Sequence, residues 1–126
     1  MEFYAVTVTS VYRVTDKTDE LGVPIVEKIA LNSNSRVAIG ERLRGGTRVC
    51  VSPDGIILYN ENNENHPSPN GGRTSPIIAL FLDRERAMEC LESEKSDSRW
   101  EEETKKVLNR IKDNPVFIIS YDRGPP

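Results

Sequence analysis

Residues 3–14 read FYAVTVTSVYRV, twelve residues with almost no helix-favouring side chains. β-Branched and aromatic types dominate, as a pleated and half-buried strand requires. At a period of two, Tyr4, Val6, Val8, Tyr12 and Val14 fall on one face. Thr7, Thr9 and Arg13 fall on the other, so the stretch predicts one strand with a buried and a wetter side. The turn residues TDKTDELG follow, and VPIVEKIAL at 23–31 returns as a second strand. The two form an expected hairpin.

The same reading extends outward. A strand is expected around Arg48–Ser52, then the turn SPDG at 52–55, then IILYN at 56–60. Pro sets φ at the second turn position and Gly takes positive φ at the last. Residues 60–75 form a long polar stretch without periodicity, expected to be a mobile loop. PIIALFL, 76–82, is continuously apolar, as in a strand covered on both faces. Asp83 is an N-cap for a helix carrying Ala87, Met88 and Leu91.

A second helix begins near Ser98, which forms a capping box with Glu101. Trp100, Thr104, Val107, Leu108 and Ile111 make its apolar stripe. Glu101 with Lys105 and Glu102 with Lys106 are its expected surface pairs. Asn114-Pro115 ends it, and VFIISY, 116–121, is a last strand before the tail at 122–126. The order predicts one α+β domain over 1–126, mainly antiparallel sheet, with two helices in the C-terminal half.

Length and charge bound the function. The 126 residues allow one domain with a real core, at 37% hydrophobic and 29% charged. A net charge of −3 argues against a nucleic-acid polymer as partner, though not against a small nucleotide. No apolar run approaches ~20 residues, so no membrane span is expected. Neither is a secretion signal, which places the protein in a cytoplasm. Cys50 and Cys90 lack metal spacing and read as buried thiols.

Catalytic signatures are missing. His66 is the only histidine and reads as a solvated loop residue. The carboxylates lie on helix surfaces or in turns, and no phosphate-loop or dinucleotide fingerprint occurs.

Two glycine pairs remain. RGGTR at 44–48 is either an anion-facing backbone with Arg beside it or, the favoured reading, the turn of a hairpin. NGGRTSP at 70–76 admits two readings. Gly71 and Gly72 are turn glycines with Arg73 exposed, or they aim backbone N–H groups, Arg73, Thr74 and Ser75 at an anion. Arg99 and Trp100 open the second helix and are likewise open: a solvated cation and a core ring, or two walls of the same pocket. Tyr59 and Phe81 are core rings or ring faces for a base.

YAVTVTSVYRVTDKTDELGVPIVEKIAL, GIILY, GGRTSPIIALFLDRERAMECLES and RWEEETKKVLNRI with PVFIIS together resemble one family, the phage anti-Thoeris sponge proteins of the first described type. The likeness covers most of the chain outside residues 60–70 and the last few residues. It implies a small α+β oligomer built on dimers, without cofactor or enzymatic activity. Such a protein binds a cyclic ADP-ribose isomer made by bacterial TIR-domain immune proteins and keeps it intact. Cyclic di- or trinucleotides at separate sites are a further implication. Combined with the chemistry above, the expected contacts are Gly71, Gly72, Arg73, Thr74 and Ser75, with Asp83 accepting from a ribose hydroxyl or amine while also capping its helix. Arg99 is the second expected cation, and Lys28 the candidate for a second nucleotide site. The rival expectations are a slow phosphodiesterase and a protein-binding inhibitor.

Overall fold

The single strand expected over 3–14 is two strands. In a computed structural model that describes residues 1–31, 39–43, 46–59, 72–93 and 99–121, β1 (Glu2–Val6) turns back into β2 (Ser10–Thr18). The side chain of Arg99 is also outside the described set. The turn is made by Thr7. Its Oγ1 accepts the N–H groups of Thr9 at 3.3 Å and Ser10 at 3.0 Å, while its own N–H donates to the Ser10 carbonyl at 2.8 Å. A hydroxyl that captures nearby amides competes with strand pairing, which alternation alone does not reveal. Val8 at the tip is 59% exposed.

The reversal changes which residues share a face. Tyr4 pairs with Arg13, and Phe3 with Val14. Even positions of β1 therefore face the same way as odd positions of β2. Tyr4 shares its face with Arg13, not with Tyr12 and Val14 as one continuous strand demands.

β3 (Pro24–Leu31) pairs antiparallel with β2, as expected. The connecting turn is held by Asp19, whose Oδ1 accepts from Leu21 at 2.8 Å and Val23 at 3.1 Å. Residues 40–43 then run along the outer edge of β3. Lys28 N–H donates to the Glu41 carbonyl at 2.9 Å, and Leu43 N–H to the Val26 carbonyl at 3.0 Å. β6 (Ala79–Phe81) completes the first sheet, in the order β3-β2-β1-β6.

The second sheet has the order β5-β4-β7. β4 (Arg48–Ser52) and β5 (Gly55–Tyr59) form the hairpin expected around SPDG, with Gly55 at φ 150°. β7 (Phe117–Ile119) joins β4 in parallel, the one parallel pairing between named strands of a mainly antiparallel α+β fold.

Two helices follow β6. α1 (Arg84–Glu92) starts where Asp83 accepts from Glu85 N–H at 2.8 Å, the expected cap. α2 (Arg99–Ile111) buries Trp100, Val107 and Ile111 from its expected stripe. Ser98 of the expected capping box lies outside the described residues. The surface pairs fall one residue closer than expected, Glu102 with Lys105 at 3.7 Å and Glu103 with Lys106 at 3.8 Å. Three-apart positions are also neighbours on a helix surface, so the same charges have either option.

The first sheet separates two cores. On one face, Phe3, Ala5, Val14, Val26 and Leu80 meet Val49, Val51, Ile56 and Leu58 of the second sheet, with Val107 and Ile111 of α2. On the other, Tyr4, Val6, Val11, Ala79 and Phe81 meet Ala87, Cys90 and Leu91 of α1 and Trp100 of α2. Each fully buried large side chain contributes roughly 1.5–3 kcal/mol. Phe81 packs edge-on against Trp100 at 5.3 Å between ring centroids. Thr104 ties α2 to β6, accepting from Leu80 N–H and donating to the Trp100 carbonyl, each at 3.0 Å. PIIALFL is thus a strand over 79–81 only, covered on both faces there.

Candidate functional site

The strand pairing lays one row of side chains straight across the first sheet. Phe81 pairs with Tyr4, Tyr4 with Arg13, Arg13 with Glu27, and Glu27 with Arg42. Directly paired residues project from the same face. At the Phe81 end the row is covered by the helices; from Tyr4 onward it is polar. Ion pairs follow the register. Arg13 Nη2 lies 3.2 Å from Glu27 Oε1, Arg13 Nη1 3.5 Å from Glu2 Oε2, and Arg42 Nε 3.7 Å from Glu27 Oε2. The Tyr4 hydroxyl donates to Glu2 Oε1 at 3.2 Å.

Glu2, Tyr4, Arg13 and Glu27 border a concavity of about 400 Å³, within the range of small-molecule sites. Tyr4, Arg13 and Glu27 line its floor strands, and Arg84 reaches it from the first turn of α1. Lys28, Ile29 and Ile39 complete the β3 side. The lining carries two cations, Arg13 and Arg84, against two carboxylates, Glu2 and Glu27, in a chain of net charge −3; Lys28 borders it from β3, but its side chain shares the opposite face of the sheet with Tyr12. Arg84 makes no ion pair among the described residues, and its charge acts on the Tyr4 hydroxyl.

Titration follows from this setting. Burial raises the Tyr4 phenol above its ordinary value, the Glu2 charge and hydrogen bond add to that, and Arg84 and Arg13 oppose it. Lys28 is only 2% exposed, with Nζ 5.5 Å from the centre of the Tyr12 ring. Burial lowers its pKa, and the Glu41 charge opposes the shift.

The residues singled out by sequence divide between two places. Gly72–Thr74 run as a strip along the outer edge of β5. Leu58 N–H donates to the Gly72 carbonyl at 2.7 Å, and Thr74 N–H to the Ile56 carbonyl at 3.0 Å. The Thr74 hydroxyl accepts from Ile56 N–H at 3.0 Å and donates to the Ser75 carbonyl at 2.7 Å. Arg73 is exposed and donates to the Asp54 carbonyl at 3.3 Å; Ser75 is exposed beside it. The amide and hydroxyl of Thr74 are thus both engaged by the fold itself.

Asp83 and Lys28 belong to the other place. Lys28 borders the concavity from β3 with its side chain turned to Tyr12 on the opposite face, and Asp83 immediately precedes Arg84 at the rim. Arg99 begins α2, Gly71 and His66 lie outside the described residues, and so does most of the loop expected at 60–75. Tyr59 and Phe81 are core rings. Cys90 is buried and Cys50 half-buried, without a disulfide.

Sequence reasoning passed over Tyr4, Arg13, Glu27, Arg42 and Arg84. The signal for the first two was present in Thr7-Val8-Thr9-Ser10, a run of hydroxyls able to make the turn that brings Tyr4 opposite Arg13. Among the described residues no helix is long and apolar enough to cross a membrane. No protein-family model, curated protein or solved structure matches the chain.

Proposed function

We propose that this chain is a binding protein that takes up a small anionic nucleotide of the cyclic ADP-ribose type and holds it unchanged. The observation that carries the reading is the concavity on the first sheet, bordered by the guanidinium groups of Arg13 and Arg84 on a protein that is acidic as a whole. Guanidinium groups grip phosphate through paired N–H donors, and the apolar Ile29 and Ile39 side chains offer a surface for a base. Retention of an intact ligand asks for charge, shape and hydrogen bonds rather than an acid–base pair.

The sequence resemblance to the anti-Thoeris sponges supplies the biological setting. There the ligand is the signal made by TIR-domain immune proteins in the bacterial host cytoplasm, and sequestration keeps it from its effector. The same resemblance supports assembly into dimers or larger oligomers and uptake of cyclic di- or trinucleotides elsewhere on the molecule.

The test is retention and release. The protein is incubated with the TIR product, unbound ligand is removed by filtration, and the retained fraction is heated. Release of unaltered ligand supports the proposal. Release of a cleaved product replaces it with a phosphodiesterase, and no retention overturns it.

A further inference from the structure

We infer that Glu27 makes the concavity selective for a ligand that presents a ribose diol beside its phosphate, and that it turns bare polyphosphate away. The inference rests on the anionic-ligand reading above and names the ligand class of that site. Both terminal nitrogens of Arg13 already lie on carboxylates, Nη2 at 3.2 Å from Glu27 and Nη1 at 3.5 Å from Glu2. Glu27 is fixed between two guanidinium groups, with Arg42 at 3.7 Å on its far side. Its side chain is only 23% exposed, and strand pairing on either side fixes its backbone.

An anion approaching Arg13 therefore meets two negative charges as well as the cation. A ligand made only of phosphates suffers that repulsion, which is weakly screened at a partly buried site. A ribose converts the same carboxylates into acceptors. Two vicinal hydroxyls match the two oxygens of one carboxylate, and hydrogen bonds to an ionised acceptor are roughly twice as strong as neutral ones. The phosphate then goes to Arg84, which holds no ion pair among the described residues and stands at the rim of the same concavity. Arg13 and Arg42 hold the carboxylate in place from either side. The arrangement resembles a negative selection against ligands that bring charge without hydroxyl donors.

Calorimetric titration with ADP-ribose and with inorganic pyrophosphate tests this. Wild-type protein is expected to prefer ADP-ribose by roughly tenfold or more, since a lost hydrogen bond to a charged group weakens binding by about that factor. Glu27→Gln should weaken ADP-ribose roughly tenfold and strengthen pyrophosphate, so that the preference shrinks or inverts. Glu2→Gln should shift the preference the same way by less, and thermal melting confirms that each variant is folded. Equal changes for both ligands, or an unchanged preference in both variants, overturn the inference. If wild-type protein binds ADP-ribose, Arg84→Ala weakens it and the preference still ignores Glu27, this inference falls and the function stands. If neither ligand binds wild-type protein, both fall.

Discussion

The Gly72–Ser75 strip and the Tyr4–Arg13–Glu27–Arg42 row carry similar side chains and put them to different uses. Each offers arginine and hydroxyl groups beside a strand. In the strip the amide of Thr74 donates to Ile56, and its hydroxyl both accepts from Ile56 and donates to Ser75. In the row the charged groups are held by one another, at a surface where ligand atoms can exchange with them. A polar group buried into backbone pairing holds the fold, because leaving its partner unpaired costs about 1–3 kcal/mol. A partly exposed ion pair has little to lose, since such pairs contribute about 0–1 kcal/mol. Binding capacity therefore goes with the exchangeable groups, even where glycines make the other segment look like a cradle.

The largest expected effect separates the two regions by stability. Gly55 has φ 150°, and a Cβ there would stand 2.9 Å from the Thr74 carbonyl oxygen. Gly55→Ala should destabilise by about 3 kcal/mol in urea unfolding, from backbone strain and overpacking together. Ligand affinity at the row should be unchanged while the protein is folded. A fully stable Gly55→Ala would mean that the strip does not hold β5.

Next comes binding. Arg84→Ala should weaken ADP-ribose by about 1.5–3 kcal/mol in calorimetry, as loss of charge-assisted hydrogen bonds requires. Arg73→Ala should leave affinity within about 0.5 kcal/mol, as surface substitutions do. The reverse pattern would move the ligand to the strip.

Thr74 is 5% exposed, and Thr74→Val removes the hydroxyl that satisfies the Ile56 amide. It should lower stability by about 1–3 kcal/mol with no loss of ligand.

The smallest effect is a pH dependence. Burial alone raises the Asp16 carboxyl, but the hydrogen bond from Asn114 at 2.9 Å and the Met1 ammonium at 3.2 Å outweigh it, so its pKa is lowered. A carboxyl lowered on folding stabilises fully above its ordinary value of 3.8, and that contribution is lost as pH falls through the folded value. Melting curves of Asp16→Asn should therefore lose less stability than wild type below pH 3.8. An identical acid limb in both proteins would show that this tie between β2 and the end of α2 carries no net stability.

What was legible in the sequence was local. The Ser52–Gly55 turn, the Asp83 cap and the Trp100–Ile111 stripe all follow from residues within a few positions of one another, and each appears where it was expected. The α+β class followed from their order. The 3–14 stretch failed because alternation and a hydroxyl turn make the same residues look alike until Thr7 chooses between them. Of the expected cations Arg73 stands beside glycines, where backbone freedom is visible in a sequence and the destination of each N–H is not.

By itself the sequence determined element types, caps and the absence of a familiar catalytic motif, because covalent neighbours fix those. Only the tertiary structure decided that Tyr4, Arg13, Glu27 and Arg42 share one row, and that Thr74 is committed to Ile56. Those outcomes depend on register between strands distant in the chain, where a shift of one residue turns every side chain to the opposite face.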